Sequence, residues 1–156
     1  MATLTAARAA STFPVAAFAG AGVLQCAWGK YTFATNPTAA DIVELCRVPA
    51  GAVVIGGMVR AEDIDTGTEA LDIDIGWAAN GSDAADPDGF GNLGVWTGDA
   101  TTDVKPEVSN MFPLNGVLKS GPVTFARETV IQAVVNVAAN DGGTGVIWIA
   151  VYYLKP

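Results

Sequence analysis

Short apolar runs with a period of two alternate along this chain with clusters of glycine, proline, asparagine and aspartate. Such a pattern belongs to β-strands divided by tight turns. It is clearest over residues 69–77, where Leu71, Ile73, Ile75 and Trp77 share one face and Asp72 and Asp74 the other. That is a half-buried strand. In the run 144–154 both faces are apolar: Val146, Trp148, Ala150 and Tyr152 on one, Ile147, Ile149, Val151 and Tyr153 on the other. A strand dry on both faces is covered twice, by its own core and by an N-terminal arm or another subunit. Residues 41–48 place Ile42, Glu44, Cys46 and Val48 on one side and Val43, Leu45 and Arg47 on the other. Asn36-Pro37 just before them could open a helix. The turn Pro49-Ala50-Gly51 reads instead as a hairpin into residues 52–60, so a strand is predicted over 41–48.

Further strands are predicted at 23–33, 116–119, 122–127 and 129–138, with Asn140-Asp141-Gly142-Gly143 as a hairpin turn before the final run. Residues 78–109 form a long insertion dense in Gly, Asp, Asn and Ser. It exceeds ordinary loop length and is expected to be functional or packed against a neighbour. The sum is about eight strands in one all-β domain, an antiparallel β-sandwich that is jelly-roll-like. An extended N-terminal arm over 1–22 precedes the domain at 23–156, which carries the one long Gly/Asp-rich insertion.

Composition narrows the partners. Of 156 residues, 51% are hydrophobic and only 15% charged, against a usual quarter charged. That balance excludes intrinsic disorder and points to more than one dry face, as in an oligomer subunit. The net charge is −8, and the basic residues, Arg8, Lys30, Arg47, Arg60, Lys105, Lys119, Arg127 and Lys155, are scattered singly. Neither nucleic acid nor an anionic membrane is an expected partner, and no run approaches the ~20 apolar residues of a membrane span. In the arm only Arg8 precedes an alanine- and glycine-rich run broken by Pro14, so it reads as an ordered arm rather than a secretory leader. Cys26 and Cys46 each lie in apolar sequence and read as small buried thiols, with a disulfide between adjacent strands the alternative.

Catalytic chemistry finds little footing. The chain has no histidine, which removes Ser-His-Asp and Cys-His catalysis and the commonest metal ligand. Asp72 and Asp74 would project about 7 Å apart from one strand face, between the spacings of retaining and inverting glycosidases, so geometry does not exclude such a pair. Without an aromatic row beside them they read as a solvated face. Asp83, Asp86 and Asp88 make a weak calcium candidate, since hard oxygen ligands beside a glycine are the right ingredients. The stretch lacks an EF-hand register, and Asp and Gly also build ordinary turns. Gly89, Gly91 and Gly94 precede no helical pattern, so no phosphate cradle is read. No catalytic residue and no cofactor are expected.

One resemblance adds to this. An aromatic strand from Tyr31 leads to Asp41-Ile-Val-Glu-Leu-Cys-Arg-Val-Pro-Ala-Gly-Ala-Val-Val-Ile-Gly-Gly57, then residues 63–68 and Leu71-Asp-Ile-Asp-Ile-Gly76. This third of the chain, and the layout of the rest, resembles the small structural proteins of tailed bacteriophages that decorate and cement the head. The alanine-rich arm and the two cysteines depart from the commonest pattern. The resemblance implies a non-enzymatic homotrimer on the outside of a capsid, bound to the major capsid protein and holding capsid subunits together. Its place would be the virion surface, with the host cytoplasm as the site of assembly. Interface residues would then be Phe13, Pro14 and Phe18 in the arm and Phe90, Trp96, Met111, Phe112 and Pro113 in and after the insertion, each of which also reads as ordinary core. The competing expectations are a tail or fibre subunit and a calcium-dependent carbohydrate-binding module using residues 83–92 with Trp77 or Trp96.

Overall fold

Residues 2–7, 9–12, 23–95, 110–111 and 121–155 are described by a computed structural model. Among them run ten strands: β1 (Thr3–Thr5), β2 (Leu24–Phe33), β3 (Ile42–Val48), β4 (Val53–Ala61), β5 (Asp72–Trp77), β6 (Asp86–Val95), β7 (Asn110–Met111), β8 (Val123–Thr124), β9 (Thr129–Val137) and β10 (Gly145–Leu154). One sheet has the order β1-β3-β9-β5-β6 and the other β2-β10-β4-β7, with β8 also paired to β4. All pairings are antiparallel except that of β1 with β3. From β2 onward the chain alternates between the sheets, staying in one for β5–β6 and for the short β7 and β8, which share a single place beside β4. That is the strand order of a jelly roll.

The alternation corrects two sequence expectations. Residues 49–51 and 140–143 are not hairpins, because β3 and β4, like β9 and β10, lie in different sheets. Turn residues mark where a chain reverses, not whether the flanking strands pair edge to edge or face to face. Both turns are tethered elsewhere. The Gly51 N–H donates to the Phe125 carbonyl (2.8 Å) and the Gly143 N–H to the Ile64 carbonyl (2.9 Å). Gly142 and Gly143, at φ of 94° and 87°, take the left-handed conformations that the second crossing needs.

Within the expected insertion, residues 86–95 are strand and pair with β5. Within the expected arm, β1 lies along β3, and Ala6 and Ala9 are buried. The alternation read for residues 41–48 fails midway. A bulge between Glu44 and Cys46 shifts the register against β9, so Val43, Leu45, Cys46 and Val48 are all buried.

The core fills the space between the sheets. Val43, Leu45, Ile73, Ile75, Ile131, Ala133 and Val135 come from one side, and Phe33, Val54, Val59, Ile147, Ile149, Val151 and Tyr153 from the other. At Gly29 of β2 a Cβ would overlap the carbonyl oxygen of Leu45, so the sheets touch backbone to backbone there. Asp74 is not on a solvated face as expected. It is buried, and one carboxylate oxygen accepts from Asn136 Nδ2 at 2.6 Å.

Candidate functional site

The outer face of the β2-β10-β4 sheet is the most unusual surface among the described residues. Its composition follows from the two-sided apolar pattern of β10. Ile147, Ile149, Val151 and Tyr153 fill the core, which leaves Val146, Trp148, Ala150, Tyr152 and Leu154 half-buried on the outside. Pairing extends this stripe sideways into rows. Trp148 lies between Lys30 and Arg60, Ala150 between Trp28 and Met58, Tyr152 between Cys26 and Gly56, and Leu154 between Leu24 and Val53. A register shift opposite Tyr152 and Tyr153 inserts Ile55, which is exposed as well. Leu24 keeps 58% of its surface open, Trp28 45% and Met58 38%. An apolar patch of this continuity marks a surface that binds something.

Polar contacts order the face. The Arg60 guanidinium lies over the Trp148 ring, 5.5 Å from its centroid, an arrangement that holds a cation against an aromatic face. The Tyr152 hydroxyl donates to the Met58 thioether at 3.3 Å. Beyond the Lys30–Trp148–Arg60 row, a Glu62 carboxylate oxygen accepts from the Val146 N–H at 3.0 Å. The face therefore carries positive charge at one end and is apolar toward the Leu24–Leu154–Val53 end. Met58, Arg60, Trp148, Ile149 and Ala150 line a depression of about 190 Å³ in it. Cys26 opens onto this surface while Cys46 is in the core, and neither is in a disulfide, so the expectation of two buried thiols holds for Cys46 alone. Position in an edge strand decides the difference, since β2 shows alternate residues to solvent. Burial pushes the Cys26 thiol up, against a smaller opposing pull from a hydrogen bond with the Val151 backbone.

A second feature lies where β5 turns into β6. Trp77 packs edge-on against Phe90 and Phe125, with ring centroids 5.0 and 5.2 Å apart. Its indole N–H donates to the Ala84 carbonyl at 3.0 Å, and Gly89 lies against its ring with no room for a Cβ. Trp77, Asp83, Ala84, Ala85, Asp86, Val123, Thr124 and Phe125 surround a cavity of about 310 Å³. Asp83 is spent on shaping the turn, where one carboxylate oxygen accepts from Asn80 Nδ2 (2.6 Å) and the Ala126 N–H (3.0 Å). Burial, and then the hydrogen bond and charge of the Asp88 carboxyl, push the Asp86 carboxyl up, with an Asp88 N–H pulling the other way. These two carboxyls thus crowd each other. Among the described residues no three acidic, cysteine or histidine side chains are placed to hold a metal ion.

Of the residues singled out for interfaces, Phe90 is wholly buried core. Met111 lies in β7, paired with Met58 and so in register with the Trp28–Ala150–Met58 row. Phe13, Pro14, Phe18, Trp96, Phe112 and Pro113 fall outside the described residues. Sequence reading missed Trp28, Met58 and Ile55 as surface. The signal was there for Trp28, which alternates with Ala27 and Gly29, but the bulge hid it for Ile55. Asp72 and Asp74 line neither of the cavities above, so they do not form a cleft-bound acid–base pair there.

In sequence, no protein-family profile and no curated protein matches the chain. In fold it matches chains from three phage capsid structures. One belongs to the capsid of Ralstonia phage GP4, with a TM-score of 0.72 and 17% identity over 99% of this chain and 98% of that one. The second is from the cyanophage Pam1 capsid asymmetric unit, with a TM-score of 0.64 and 20% identity over 94% and 96%. The third is from the acid-stable capsid of Helicobacter pylori bacteriophage KHP30, with a TM-score of 0.56 and 17% identity over 88% and 92%. At these identities the likeness is one of fold, and it extends over nearly the whole of each chain.

Proposed function

We propose that this chain is a non-enzymatic virion protein that binds the outside of a phage capsid and stabilises contacts between capsid subunits. The observation that supports the reading most is the fold shared, nearly end to end, with chains found in three phage capsids. The exposed apolar sheet face fits it, because a subunit whose work is assembly keeps dry surface for its neighbours. On this reading the chain acts as a homotrimer, its partner is the major capsid protein, and it reaches the shell in the host cytoplasm.

The test is to mix the purified chain with empty capsids assembled from the proposed partner, the major capsid protein of the phage that encodes it. Saturable co-sedimentation is expected, together with a rise in the melting temperature of the shell, since a ligand that binds only the assembled state stabilises it. A chain that stays in the supernatant at every shell concentration would overturn the proposal.

A further inference from the structure

We propose that copies of this chain bind one another by seating the Lys30–Arg60 end of one copy's apolar sheet face on the acidic β5–β6 corner, Asp83, Asp86 and Asp88, of the next. The inference rests on the assembly reading in treating the sheet face as an interface. Its test uses the isolated chain, so self-association and shell binding fail separately.

The argument is one of complementarity between two surfaces of the same molecule. The sheet face offers Trp28, Trp148, Ala150 and Met58 with two exposed cations, Lys30 and Arg60, at one end. The β5–β6 corner offers the reverse: a cavity lined by Trp77 and Phe125 together with Asp83 and Asp86. A guanidinium or ammonium group entering it would meet an aromatic wall and acceptor oxygens together, the two surroundings that hold a cation best. Asp83 and Asp86 line the cavity and the Asp88 carboxyl lies against that of Asp86; among the described residues the basic side chain packed nearby is Arg127, close to Gly81. Negative charge is therefore in excess there, and Asp86 and Asp88 already crowd each other.

Aligning two sheet faces row on row fits poorly. Lys30 and Arg60 of one copy would then face the cations of the other, and the Glu62 carboxylate at that end is engaged with the Val146 N–H. Contact between the two unlike surfaces avoids this. Each copy carries both, so the contact repeats from copy to copy until it closes.

The experiment is mass measurement of the isolated chain and its charge-reversed variants in solution. The wild-type chain should form a closed oligomer that shifts toward single-chain mass as salt is raised. Lys30→Glu with Arg60→Glu, and separately Asp86→Lys with Asp88→Lys, should each give single chains; Asp83 is left alone because it holds the turn. A chain carrying all four changes should recover the oligomer, since every reversed face then meets a reversed corner whatever the number of copies in the ring. Should the lysine variant lose its fold by circular dichroism, Asp86→Asn with Asp88→Asn takes its place and should weaken association without reversing it. A wild-type chain that is monomeric at all concentrations, variants that keep wild-type mass, or a folded chain with all four changes that stays single would each overturn the proposal.

Discussion

Asp65 is a fully buried carboxylate, and it is one of the chief ties of the fold. One oxygen accepts from the N–H groups of Ala70 (2.7 Å) and Leu71 (3.0 Å), the other from those of Asn140 (3.0 Å) and Asp141 (3.1 Å). It thereby binds the β4–β5 connection to the β9–β10 crossing. Burial pushes this carboxyl up, but the four N–H donors together outweigh it and hold it below the ordinary carboxylate range. Replacing Asp65 by Ala strands several backbone donors, and we expect a loss of about 3 kcal/mol in denaturant unfolding. Nothing in the periodicity singles out this residue. An aspartate in a turn-rich stretch looks the same whether it faces water or gathers four amides, because the difference is made by a segment 75 residues away.

At the scale of elements, the strands themselves were legible. The runs expected at 23–33, 41–48, 52–60, 129–138 and 144–154 match β2, β3, β4, β9 and β10 to within a residue or so. Hydrophobic alternation reports the face of a single strand, which is local. Sheet membership is not local, and so the crossings at 49–51 and 140–143 were read as hairpins. Bulges were hidden for a related reason, since an extra residue is visible only against its partner strand. β1 is a further case. Three residues with no run of their own gain a place only through β3, through the Ala2 N–H reaching Asp41 at 3.4 Å, and through the buried Ala6 and Ala9. Removing residues 2–9 should therefore cost about 2 kcal/mol, or about 4–8 °C in Tm, while leaving the far-ultraviolet spectrum of the sandwich intact.

For the molecule as a whole, carboxyls set the response to pH. Asp41, buried but bonded by the Thr38 N–H and hydroxyl, is held low in the same manner as Asp65. A carboxyl whose value is depressed by folding stabilises above its unfolded value and loses that contribution as pH falls through its folded one. We expect Tm to be level near neutrality and to drop below about pH 4, with a shallower drop in Asp65→Asn. Asp86 has the opposite sign. Its folded value is raised, so its contribution is present at low pH and is lost as pH rises. In dilute solution where the chain is single, Asp86→Asn should therefore raise Tm at pH 7 relative to the wild type and leave it nearly unchanged at pH 3. Of the site, the two-sided apolar β10 was legible and the rows built around it were not, since Trp28 and Met58 join Ala150 only through pairings with strands far away in sequence.

The position of β10 also sets the order of events when this protein is made. It lies between β2 and β4, strands that begin the sandwich, and is hydrogen-bonded to both along its length. While a ribosome is still synthesising the middle of the chain, that sheet has an empty slot at its centre, and the other has one where β9 will enter between β3 and β5. Closure waits for the latest strand and spans most of the sequence, which makes folding slow by topology. The nascent chain must hold its apolar strands apart from one another, and from other copies, until β10 arrives.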